Sequence, residues 1–128
     1  MAIKPYPKYR DSGIEWVQSI PEDWESYQLK RVAEVYGGAT PRSTNPENWD
    51  GEIYWVTTDD LGKLTSKFIT DTRRKITKKG LKNCGTKIAP PESIIISGRA
   101  PIGHVGILKI EACTNQGCKS ILVKSHFH

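Results

Sequence analysis

No aliphatic run in this 128-residue chain exceeds three residues; the longest are III at 94–96 and ILV at 121–123. A membrane-spanning helix needs about 20 consecutive apolar residues, so no stretch qualifies. The opening residues, MAIKPYPKYRDSG, lack the apolar segment of a secretion signal. Cysteine is scarce and odd in number, three in all. That argues against a closed disulfide framework and leads us to expect a reducing cytoplasm. The length suits one domain with a single core.

Catalytic motifs are also missing. GGATPR has no P-loop spacing. GRAPIGHVG (98–106) lacks both the G-x-G-x-x-G order and a following helix, and Pro101 removes an N–H from any anion nest there. Cys84, Cys113, Cys118, His104, His126 and His128 contain no C-x2-C knuckle, so no metal is expected. No serine sits in a G-x-S-x-G elbow. Asp59 and Asp60 are adjacent, which on an extended chain points them apart: poor geometry for acid/base chemistry, fair for capping a turn. The residues offer no catalytic constellation.

What the chain does have is a polarised charge. Residues 63–87 hold nine bases and one acid, Asp71, a net +8. The remainder holds ten bases and thirteen acids, a net −3. A basic stretch on a mildly acidic domain is the footprint of polyanion binding, although many such runs are only solvated faces.

Periodicity supplies the elements. Leu29, Val32, Ala33 and Tyr36 fall at helical spacing, which predicts a helix over 26–36 capped by Ser26 and stopped by Gly37 and Gly38. Residues 1–22 read as an extended lead with one turn near SGIEW. EIYWV (52–56) predicts a strand and TKKGLKN (77–83) a short helix weakened by Gly80. SIIIS (93–97), HVGILKI (104–110) and KSILVK (119–124) predict further strands, with EACTNQG as a connection. The expected fold class is α/β (α+β): a small, twisted, mainly antiparallel sheet with short helices.

Several ordered motifs now carry a resemblance. The stretch YRDSGIEWVQSIPEDWESYQLKRVAEVYGGATPRSTNPENWDGEIYWVTTDDL, followed by ITKKGL, ISGRAPIGHVGI and TNQGCKSI, resembles the specificity subunit of type I restriction-modification enzymes. The resemblance implies a non-catalytic target-recognition domain that reads one half of a split duplex DNA site. It implies modification (methyltransferase) and restriction subunits as partners, which carry S-adenosylmethionine, ATP and Mg. No cofactor is then expected in this chain itself. Residues 1–128 are expected to form one partial recognition domain, with 1–25 as an N-terminal lead, 26–128 as the domain proper, and the C-terminal end cut short.

The same resemblance makes GGATPR an architectural turn. Gly37 and Gly38 are expected to permit a sharp exit from the helix at positive φ, with Pro41 holding Thr40 extended and Arg42 reaching towards a phosphate. The basic segment, through Lys63, Arg73, Arg74, Lys75, Lys78 and Lys79, is expected to track the DNA backbone. Base reading is assigned first to Arg73, Arg74 and Arg99, then to Asn115 and Gln116. For Asn115 the alternative is plain turn chemistry, and for Arg99 an ion pair with Glu92. The other functional class left open is a protein-interaction module that no longer binds DNA.

Overall fold

The computed structural model describes residues 6–100 and 102–124. The expectations for Pro101, His126 and His128 therefore lie outside the described residues. The chain opens with an antiparallel hairpin of β1 (Tyr9–Asp11) and β2 (Ser19–Pro21). Its surroundings carry exposed Tyr6, Tyr9, Trp16, Trp24 and Tyr27, with Tyr6 edge-on to Trp24 at 5.6 Å. This region contributes little to either hydrophobic core.

The helix expected over 26–36 is corrected. Only Leu29–Val32 (α1) is helical; Ala33–Gly37 is a strand, β3. Ala33 already has extended angles, φ −147 and ψ 154. The reason is a partner far along the chain. β10 (Cys118–Val123) lies antiparallel to β3, matching Ala33 with Val123 through to Gly37 with Lys119. A single isolated turn of helix is marginal, and pairing outweighs a four-position apolar spacing. Gly37 thus ends a strand and Gly38 follows it; neither stops a helix.

The other strands fall into two sheets. β10 also pairs with β7 (Ile94–Ser97), which pairs with β8 (Val105–Leu108), both antiparallel. β8 runs parallel to the short β5 (Phe68–Ile69), completing the order β3-β10-β7-β8-β5. The second sheet has the order β6-β4-β9: β4 (Trp49–Val56) is antiparallel to β6 (Arg74–Ile76) and parallel to β9 (Ala112–Thr114). The strands expected at 52–56, 93–97, 104–110 and 119–124 from their β-branched and aromatic runs appear as β4, β7, β8 and β10, with ends shifted by one to three residues. β9 is not among them: it lies inside EACTNQG, expected as a connection. Its three residues are small and buried, a pattern that leaves no alternation to read.

Two buried clusters form, the larger drawing on both sheets and the smaller on the second. Val56, Leu61, Ile69, Ala89, Ile95, Leu108, Ala112 and Cys118 form the larger. Trp49, Trp55, Ile76 and Cys113 form the smaller, with the two tryptophans edge-on at 5.1 Å. A bulge in β4, with Asp50 at φ 61, lets both Trp49 and Ile53 pair with Ile76. Two further helices complete the fold, α2 (Thr58–Gly62) and α3 (Lys78–Cys84). Gly80, unfavourable to α3 on propensity, is explained by packing. A Cβ there would stand 2.5 Å from the Asn48 carbonyl oxygen, so only glycine lets α3 seat on the 3-10 turn Pro46–Asn48.

Candidate nucleic-acid interface

Residues 38–41 form a strap laid across the turn between β9 and β10. Gly38 is not at positive φ, which corrects the expectation of a left-handed exit. Its role is close approach: a Cβ there would lie 1.9 Å from the Asn115 carbonyl oxygen and 2.3 Å from Thr114 Oγ1. Gly37 faces open space and is not at positive φ either, so nothing in the structure demands glycine there. The Ala39 N–H donates to the Thr114 carbonyl at 3.0 Å, and Trp55 Nε1 donates to the Ala39 carbonyl at 3.0 Å. Pro41 is fully buried. The strap is thereby tied to the tryptophan core, and the Thr40 hydroxyl donates to Gln116 Oε1.

The 115–117 turn is held from several directions. Asn115 N–H donates to the Val56 carbonyl at 2.9 Å, and its Oδ1 accepts from the Gly117 N–H at 3.1 Å. Turn chemistry therefore occupies the Asn115 side-chain oxygen. The Gly98 N–H donates to the Gly117 carbonyl at 2.8 Å, which joins the Arg99 loop to the turn. A Cβ on Gly117 would meet Arg99 Cβ at 3.7 Å and Thr58 Cγ2 at 3.0 Å. Arg99 is exposed. The acid suggested as its partner, Glu92, is instead paired with Lys109 at 3.0 Å.

The basic segment does not form a single line. Arg74 pairs with Trp55 across β6 and β4, and Val56 pairs with Thr114 across β4 and β9. Arg73, one residue before β6, therefore sits at the end of the sheet where Asn115 emerges. Its N–H donates to Asp60 Oδ1 at 3.1 Å. Asp60 Oδ2 meanwhile accepts from the Thr57 N–H at 2.9 Å, and Thr57 Oγ1 caps Asp60 N–H at 3.3 Å, a reciprocal capping box for α2. Among the described residues, Arg73 and Arg99 belong to none of the ion pairs.

Other bases of the segment are engaged elsewhere. Arg74 stacks on Trp49 with its guanidinium carbon 3.6 Å from the ring centre, and Lys75 lies 4.9 Å from the Tyr54 ring centre. Lys63 pairs with Asp59 at 3.0 Å. Lys78 and Lys79 begin α3, beyond the opposite end of β6, and Lys79 pairs with Glu47. The Lys79 hydrogen bond and charge hold the Glu47 carboxyl below its ordinary range. The fold thus gathers Arg99, Asn115, Gln116 and Thr40, sets Arg73 at the same end of the sheet, and sends Lys78 and Lys79 towards the other end. Asp60 caps, as its place in TTDD suggests, while its hold on the Arg73 N–H joins segments thirteen positions apart and has no local signal. Among the described residues, no three of His, Cys, Asp and Glu gather as metal ligands, and no helix is long and apolar enough to cross a membrane.

Comparison with known proteins identifies the family. The profile described as Type I restriction modification DNA specificity domain matches residues 21–128. The chain belongs to that family. It is 40% identical over 108 residues to the specificity subunit of the type I restriction enzyme MjaIX from Methanocaldococcus jannaschii, covering 84% of this chain and 25% of that protein. The HindI specificity subunit from Haemophilus influenzae is 27% identical over 103 residues, 80% of this chain and 22% of that protein. The chain thus spans about a quarter of the length of these curated relatives. The fold matches the crystal structure of the HsdS subunit from Thermoanaerobacter tengcongensis with a TM-score of 0.63 at 20% identity, over 91% of this chain and 26% of that one. A structure from work on complex assembly in a type I restriction-modification system matches with a TM-score of 0.66, also at 20% identity, over 91% and 27%. The mixed α/β architecture with mostly antiparallel sheets is therefore that of specificity-subunit structures.

Proposed function

We propose that this chain binds duplex DNA and reads one half of a split site, as the target-recognition domain of a type I specificity subunit. The observation that carries this reading is that exposed Arg99, joined to the 115–117 turn through Gly98, and exposed Arg73, at the same end of the sheet, are held in no ion pair among the described residues. Arginine forks onto the O6 and N7 of guanine, which suits Arg99 at a loop tip. Arg73, at the end of a sheet and next to more bases, suits a phosphate. Arg74 and Lys75 support the recognition end by packing on Trp49 and Tyr54. Lys78 and Lys79 serve a flanking stretch of backbone. On this reading the chain catalyses nothing itself. Modification subunits bring S-adenosylmethionine, and restriction subunits bring ATP and Mg.

The test starts by enriching a preferred duplex from a random library with the wild-type chain, then titrating preferred and scrambled duplexes over a salt series. Arg99→Gln is expected to weaken the preferred duplex by about 1–3 kcal/mol and to leave the scrambled one nearly unchanged. Arg73→Gln is expected to weaken both alike and to reduce the log–log salt slope by about 0.9. Failure to enrich any sequence, with no duplex binding at low salt, sinks the reading.

A further inference from the structure

We propose that Thr40 is a positioning residue for DNA reading: its hydroxyl fixes Gln116, and through Gln116 the turn against which Arg99 rests. The proposal rests on the DNA-binding reading above and adds to it a residue that touches no base.

The physical argument starts from the anchoring of the strap. Pro41 is buried, the Ala39 carbonyl is held by the Trp55 indole, and Gly38 is pressed against the Asn115 carbonyl. Thr40 is therefore presented from a fixed frame, although its own side chain is exposed. Gln116 is the exposed residue at the apex of the 115–117 turn. Among the described residues, the Thr40 hydroxyl is the one hydrogen-bond partner of its side chain. With Oε1 held by Thr40, the amide nitrogen is the end left to face solvent. The next residue, Gly117, accepts from the Gly98 N–H at 2.8 Å and leaves 3.7 Å between its missing Cβ and Arg99 Cβ. A displacement at Gln116 is thus passed to Arg99 through one residue and one backbone hydrogen bond.

A free glutamine at the turn apex has to be ordered when DNA binds, and so does the loop leaning on it. Ordering both before contact removes that cost from the specific complex. The non-specific complex, held by phosphates, has no use for the same order. The expected signature is a loss of discrimination with no loss of charge.

Thr40→Val, which keeps the shape and removes the hydroxyl, is expected to weaken binding to the enriched duplex about two- to tenfold. The scrambled duplex, the salt slope and the melting temperature should not change. Thr40→Ser, which keeps the hydroxyl, should restore discrimination. Equal losses on both duplexes, no loss on either, or a serine variant that behaves like valine would each overturn the proposal. A DNA-free measurement separates this from the parent reading. In Thr40→Val, hydrogen exchange at the Gly117 and Cys118 amides is expected to quicken; unchanged exchange overturns the positioning role even where DNA binding holds. Quickened exchange in a chain that enriches no sequence locates the failure in the DNA-binding reading and overturns Thr40's part in it.

Discussion

Gly37 and Gly38 are chemically identical and adjacent, yet the fold asks different things of them. A Cβ on Gly38 would collide with backbone at 1.9 Å, whereas one on Gly37 would meet open space. Gly38→Ala is therefore expected to cost about 1–3 kcal/mol through overpacking against the 115–117 turn. Gly37→Ala should be neutral, or stabilising by about 0.4–1 kcal/mol because alanine restricts the unfolded chain. Urea unfolding of both variants measures the contrast, and equal effects would refute it. The dipeptide marked this place as special in the sequence. Which glycine matters, and why, depends on Asn115, far along the chain.

At the scale of elements, α2 illustrates how a short helix can organise a site. Its capping box closes through Asp60, whose other oxygen accepts the Arg73 N–H. One carboxylate thereby holds both the start of a helix and the approach to β6. Asp60→Ala keeps the Thr57 cap but removes the carboxylate half of the capping box, and is expected to lose about 0.5–1.5 kcal/mol of stability per hydrogen bond lost. It should also speed hydrogen exchange at the Arg73 amide; protection there as strong as in wild type would count against the link. The elements also show where local signals mislead. Leu29, Val32, Ala33 and Tyr36 satisfy a helical period, but Ala33–Gly37 finds a strand partner in β10 and takes it. By contrast, β4 and β7 carry β-branched and aromatic residues in short runs, and local preference agrees there with tertiary demand.

For the molecule as a whole, two buried thiols link stability to pH. Burial pushes the Cys113 thiol up to about 12, with Cys84 adding to the shift. Cys118 is likewise pushed up to about 12 by burial, and further raised by the charge of Asp60. The unfolded chain ionises these thiols near the ordinary value of 9.0. Their folded pKa values are raised, so their contribution is fully present below about pH 9 and is lost as pH climbs towards about 12. Urea midpoints are expected to fall across that window, and to fall less in a Cys113→Ala/Cys118→Ala variant; parallel decline in the two proteins would contradict this. The sequence by itself determined the family, the fold class, the strands with β-branched and aromatic runs, and the lack of nucleotide and nucleophile motifs. These are properties of composition and of order along the chain. Only the tertiary structure decided that the basic run divides between two ends of a sheet, that Gly38 serves contact and not left-handed geometry, and that Ala33–Gly37 is a strand. It also decided that Thr40 meets Gln116, 76 positions away. Each of these depends on a pairing between distant segments, and no local pattern of side chains records which distant backbone will arrive.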